Sequence, residues 1–216
     1  SMKVKLKRDQ VNKLFELTKG HTSICGIDEV GRGPIAGPVV SCSVIMDTSE
    51  LIDEIKDSKK LTDKKRRELA KKIEEKALAI GYGIVDAKTI DEINIRQATL
   101  LSMQVASETM VDKKGKIIKP DLLLIDAELI DSDRDQIAII SGDDLVYSIS
   151  CASILAKVYR DDIMIAYGES HPEYKFENHK GYGTKAHYQA LEEYGSLDIH
   201  RESFLGKFYE KLNKDK

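Results

Sequence analysis

The chain has 216 residues, 41% of them apolar and 33% charged, which is enough for one sizeable hydrophobic core and excludes a disordered or fibrous protein. Its 34 Lys and Arg against 37 Asp and Glu leave a net charge of −3, which argues against a general nucleic-acid coat protein but allows a local basic face. Cys25, Cys42 and Cys151 are widely spaced without a CxxC pair, so a disulfide framework and a structural zinc site are both unexpected, and a reducing, cytoplasmic setting fits best.

The polar N-terminal stretch and the lack of an apolar run of about 18 residues support neither a signal peptide nor a transmembrane helix, so no membrane association is expected. Ser1 ahead of Met2 reads as a remnant of a tag. From Arg8 to Lys19, Val11, Leu14, Phe15 and Leu17 recur at helical spacing, and Gly20 suits a C-cap. Ile24–Val30 and Val39–Met46 are β-rich and are separated by a loop holding Gly31, Gly33, Pro34, Gly37 and Pro38. Thr62 can cap a helix running to about Ile80, with Leu69, Ile73, Ala77 and Ile80 on its buried stripe. Gly81–Val85 reads as a strand, and Thr89–Met110 as a second long helix.

Leu122–Ile125 is a continuous apolar run expected to be a fully buried strand, and it ends at Asp126. Ile137–Ile140 reads as a further strand, followed by Ser141, Gly142, Asp143 and Asp144. Helices are expected over Ser150–Tyr167, near Ala186–Tyr194 and near Phe204–Leu212. The mixture predicts one α/β domain over residues 1–216, with about 168–216 as a C-terminal helical subregion.

Three of these strand ends carry carboxylates: Asp28 with Glu29, Asp126, and Asp143. Adjacent strands can bring such ends together, and an oxygen-only cluster suits magnesium or manganese; scattered surface carboxylates are the bland alternative. Successive strand residues face opposite ways, so Asp28 and Glu29 can share a metal only if Glu29 lies where the strand turns. Ser150, Ser153 and Lys157 recur on one helical side and could line a phosphate pocket, local capping bonds being the rival reading.

These segments resemble ribonuclease HII, of the type 2 ribonuclease H family. Gly26-Ile27-Asp28-Glu29-Val30-Gly31-Arg32-Gly33-Pro34-Ile35-Ala36-Gly37-Pro38-Val39, Asp57-Ser58-Lys59-Lys60-Leu61, Leu124-Ile125-Asp126, Ser150 to Asp161, His179-Lys180-Gly181-Tyr182-Gly183-Thr184 and His200-Arg201-Glu202-Ser203-Phe204 look like its signatures, in its order. Two positions depart from its usual pattern: Ala127 stands where glycine follows the third carboxylate, and Cys151 replaces a small residue that is expected to have a packing role.

The resemblance implies a ribonuclease H-like fold, with a mixed five-stranded sheet flanked by helices and a helical C-terminal part. It makes Asp28, Glu29, Asp126 and Asp143 the catalytic, metal-coordinating carboxylates, using Mg2+ or Mn2+ and two ions during catalysis. Asp28 and Asp126 are then expected closest to both ions. Gly31, Arg32 and Gly33 are implied to contact the ribonucleotide, and Tyr182 the sugar that follows it. The expected reaction is hydrolysis of the RNA strand of RNA–DNA hybrids and nicking 5′ to single ribonucleotides in duplex DNA, leaving 3′-hydroxyl and 5′-phosphate ends.

Lys59, Lys60 and Lys180 lie inside these motifs and are the better candidates for backbone contacts. Lys64, Lys65, Arg66 and Arg67 occupy consecutive helical positions and cannot all face one duplex. Rival readings are a ribonuclease HIII-type enzyme preferring long hybrids and a nucleic-acid-binding module without catalysis. A monomer is the default, and binding to a clamp protein is left open.

Overall fold

The computed structural model describes residues 1–215, apart from the side chains of 57–59, and among these residues six strands form one sheet. They are β1 (Lys3–Leu6), β2 (Ile24–Val30), β3 (Val39–Met46), β4 (Ala77–Val85), β5 (Leu122–Asp126) and β6 (Asp135–Ile139), in spatial order β1-β6-β5-β2-β3-β4. Strands β2, β3 and β4 form an antiparallel meander, whereas β5, β6 and β1 run parallel to β2. The mixed sheet expected from the resemblance is therefore present with an additional edge strand, β1.

The helices are α1 (Leu14–Leu17), α2 (Asp63–Lys76), α3 (Ala87–Ile93), α4 (Ile95–Glu108), α5 (Gly142–Leu145), α6 (Tyr147–Ser170), α7 (Phe176–His179), α8 (Lys185–Tyr194) and α9 (Gly206–Lys214). Helices α2 and α6 cover one face of the sheet, burying Cys42, Val44, Leu69, Ile73, Cys151 and Leu155 together. Helix α4 covers the other, where Cys25, Ile27, Met103, Leu123 and Ile125 meet. This close approach needs glycine in the strands. A Cβ on Gly26 would stand 2.2 Å from the Ser148 backbone, and one on Gly83 1.8 Å from the Ser102 carbonyl oxygen.

Several boundaries differ from the sequence-based expectation. The helix begun at Thr62 stops at Lys76, and Ala77–Ile80 belongs to β4, whose alternating burial marks a strand with one face on the core. Two helices replace the single one expected over 89–110, because Asn94 takes a left-handed φ of 74° and caps α4 by accepting from the Gln97 N–H at 3.0 Å. The opening segment is a 3-10 stretch, Arg8–Lys13, running into the single turn α1. No helix among the described residues is long and apolar enough to cross a membrane.

Candidate active site

The parallel pairing of β2 with β5 and of β5 with β6 places the C-terminal ends of three strands at the same end of the sheet. Asp28 and Glu29 come from the first, Asp126 closes the second, and Asp143 follows the third by way of Ser141 and Gly142. One carboxylate oxygen from each of Asp28, Glu29 and Asp126 lies within 4.8 Å of the others. Asp143 adjoins this group, with its backbone N–H donating to Asp126 Oδ1 at 3.3 Å.

Glu29 joins the group without the strand turn that alternation required. Strand β2 stays paired to β3 through Val30, but its pairing with β5 ends at Ile27. Beyond Ile27 the β5 side of the strand is therefore open, and the longer Glu29 side chain reaches across it to the carboxylates of the other face. The Asp28 carboxylate accepts from the Glu29 N–H at 2.8 Å.

The electrostatics suit a cation. Burial, and next the charges of Glu29 and Asp126, hold the Asp28 carboxyl well above the usual carboxylate range. Burial and the charge of Asp143 push Asp126 up to about 6. Packed carboxylates that resist ionising together call for protons or a divalent ion, and oxygen-only donors select the hard cations. The residues present thus fit the divalent metal that the resemblance implies.

A cleft of about 250 Å3 beside the cluster is lined by Glu29, Asp143, Arg66, Ser153 and Lys157. Of the basic run in α2, Arg66 alone lines it, whereas Arg67 pairs with Asp63 and Asp162. Lys157 also pairs with Asp161 at 2.9 Å. The buried hydroxyl of Ser150 donates to the Asp143 carbonyl at 2.5 Å. Arg8 Nη1 lies 3.6 Å from the Asp144 carboxylate. Lys60 is exposed, and the Lys59 side chain lies outside the described residues.

Gly31 opens the loop after β2 with a φ of 94°, and a Cβ there would meet Arg160 at 2.4 Å, so only glycine fits. Arg32 and Gly33 are exposed. A Cβ on Gly33 would stand 3.6 Å from the ring of Tyr182, so the loop and that 40%-exposed ring are neighbours, as the resemblance implied. The sequence reading gave no role to the two side chains that hold this arrangement, Arg160 and Arg201. Both are buried, and both donate to carbonyls of the loop. They stood inside quoted motifs, but nothing in a sequence marks an arginine whose partners are all backbone. Lys180 contributes its carbonyl, which accepts from Arg160 Nη1 at 2.7 Å.

Behind Tyr182 lies a chain of neutral imidazoles. His200 Nδ1 accepts from the Leu197 N–H at 2.9 Å, which leaves its proton on Nε2 to donate to His187 Nε2, also at 2.9 Å. His187 then donates from Nδ1 to the Tyr182 carbonyl at 2.9 Å. His179 accepts from the Gly181 N–H and donates to the Tyr174 carbonyl. Its role is structural.

Ala127, next to the third carboxylate, has a φ of 62°, a conformation that favours glycine. Ala127→Gly would release roughly 1–2 kcal/mol of strain and add about 0.4–1 kcal/mol of unfolded-chain entropy. A net gain of about 0 to 1.6 kcal/mol is expected from urea denaturation. A loss of stability would mean that the methyl group contributes packing that outweighs the strain.

The sequence model of the family described as Ribonuclease HII matches residues 25–207. The chain is 50% identical over 188 residues to ribonuclease HII of Alkaliphilus oremlandii, covering 87% of this chain and 93% of that one. It is 49% identical over 190 residues to ribonuclease HII of Caldicellulosiruptor bescii, covering 88% and 89%. Its fold matches the crystal structure of ribonuclease H2 from Pyrococcus horikoshii OT3 with a TM-score of 0.68, at 25% identity over 84% of this chain and 93% of that one. The match takes in the strand ends, the glycine-rich loop and helices α7 and α8 alike, so the chain belongs to the ribonuclease HII family and is a metal-dependent ribonuclease H-type hydrolase that cleaves the RNA of RNA–DNA hybrids.

Proposed function

We propose that this enzyme, besides cutting hybrid tracts, nicks duplex DNA on the 5′ side of a single embedded ribonucleotide, leaving 3′-hydroxyl and 5′-phosphate ends. The observation that carries the reading is the convergence of Asp28, Glu29 and Asp126 beside an exposed glycine-rich loop. Two ions, Mg2+ or Mn2+, would be held by Asp28, Glu29, Asp126 and Asp143. Bound there, such ions would lower the pKa of the attacking water and stabilise charge on the departing 3′ oxygen.

The rest is the work of the chain. Backbone groups of Gly31, Arg32 and Gly33 approach the 2′-hydroxyl, which distinguishes RNA from DNA. The exposed Tyr182 ring packs on the sugar that follows. Ser153 and Lys157 in the cleft, together with Lys59, Lys60, Lys180 and Arg66, engage the phosphate backbone, so binding weakens with salt. A binding module without catalysis would gain nothing from a carboxylate cluster facing a polyanion.

The test is cleavage of three labelled duplexes, one with a single ribonucleotide, one a hybrid tract and one all DNA, each with magnesium, manganese or a chelator. Metal-dependent nicking 5′ to the single ribonucleotide, absent from the all-DNA control, is expected. Cutting confined to the hybrid tract would overturn the single-ribonucleotide reading and favour a preference of the ribonuclease HIII type.

A further inference from the structure

We propose that Arg160 and Arg201 are positioning residues for ribonucleotide selection: from beneath the glycine-rich loop they fix the direction of the backbone groups that read the sugar, without touching the substrate. The proposal rests on the reading of that loop as the ribose-recognising element.

Each side chain is almost wholly buried, Arg201 at 0% and Arg160 at 1% exposure, and neither forms an ion pair among the described residues. Their donors go instead to seven carbonyls. Arg201 gives Nε to Gly37 at 2.9 Å, Nη1 to Arg32 at 3.0 Å and Pro34 at 2.8 Å, and Nη2 to Gly31 at 2.6 Å. Arg160 gives Nε to Pro38 at 2.8 Å, Nη2 to Ala36 at 2.9 Å and Nη1 to Lys180 at 2.7 Å. Burying a guanidinium without a carboxylate is costly enough that burial lowers Arg160 to about 10 and Arg201 to about 9. A core needing only packing would use an apolar side chain there.

The consequence for the outer surface follows from the planar trans peptide, in which C=O and N–H point opposite ways. Drawing the carbonyls of Gly31 and Arg32 inward turns the N–H groups of Arg32 and Gly33 outward, on the exposed side of the loop. Two successive backbone donors on one side form a concavity for oxygen ligands. The same clamp fixes the sugar platform. Gly181 accepts from the Ile35 and Ala36 N–H groups, Arg160 bridges to Lys180, and its guanidinium carbon sits 6.0 Å from the centroid of the Tyr182 ring. The loop and Tyr182 are thus set by one pair of buried cations. Lysine could keep the charge but not the fork.

The experiment compares wild type with Arg201→Lys and Arg160→Lys on duplexes bearing a single ribonucleotide, a 2′-fluoro analogue or a deoxynucleotide at the same site, with thermal melting and Mn2+ binding by calorimetry as companions. Folded variants should bind Mn2+ as wild type does. They should lose about 100-fold in kcat/KM on the ribonucleotide, the scale of a 1 Å misplacement, with a much smaller loss on the 2′-fluoro analogue, so that discrimination collapses. Unchanged discrimination in a folded variant would overturn the proposal, as would equal losses on both substrates. If Arg201→Lys does not fold, Arg160→Lys carries the same test; if neither folds, the pair is structural alone and the proposal fails. A wild type that does not distinguish ribose from deoxyribose would instead defeat the reading of the loop on which the proposal rests.

Discussion

Asp126→Asn should lower hybrid cleavage by about a thousandfold, equivalent to about 4 kcal/mol of transition-state stabilisation, and yet melt at a higher temperature than wild type in chelator. Both effects follow from one carboxylate. Without metal, the half-burial of Asp126, and next the charge of Asp143, push its carboxyl up to about 6 and so penalise the ionised form. The neutral amide removes the repulsion and still accepts the Asp143 N–H from its carbonyl oxygen. Discounted for partial exposure, the gain is about 1–2 kcal/mol, or roughly 3–6 °C for a chain of this size. Saturating Mg2+ or Mn2+ should reverse the order, because a ligand stabilises the state that binds it. Calorimetry with and without metal checks both halves. A variant that melts lower in chelator and keeps its activity would remove Asp126 from the site.

The second large effect is acid destabilisation through the histidine chain. Burial depresses His187 and His200 to about 4, so in the folded protein both rings stay neutral well below the ordinary value of 6.5. The unfolded chain protonates first. Stability is therefore intact above about pH 6.5, falls as the pH drops, and levels off near 4, with a loss of roughly 1–2 kcal/mol per ring at pH 5. Asp126 has the opposite sign in the same window, since a raised carboxyl pKa makes the folded state the better proton binder. Urea denaturation from pH 7 to pH 4.5 is therefore best run in the Asp126→Asn background, with and without His187→Gln. The slope should flatten in the glutamine variant. An equal slope in both would mean that the imidazole chain does not control acid stability.

Much of this site was legible in the sequence, because a carboxylate at the end of a buried strand is a readable pattern and parallel pairing does the rest. Asp28, Glu29 and Asp126 came together as expected, with Asp143 alongside. What was illegible has physical reasons. Ala77–Ile80 continues the apolar spacing of α2, and only pairing with β3 makes it strand. Strand β1 is four residues, two of them lysines, too short for alternation to register. Arg66 could not be told from its basic neighbours, since the helical phase that faces the cleft depends on how α2 packs against α6. Arg160 and Arg201 were visible as letters, but their partners are carbonyls, which every residue has.

Strand β1 also bears on how the chain comes to fold. Its partners in β6 lie far along the sequence, with the Met2 N–H reaching Asp135 across a separation of 133 residues. Strand β1 must therefore wait unpaired until β6 has been made, at a cost in loop-closure entropy that slows its docking. Lys3 and Lys5 within the strand and Lys7 just beyond keep that waiting segment charged, the usual defence of an open strand against pairing with another chain. Closure of this edge of the sheet is thus a late event, since β1 is made before β6 but can pair only after it.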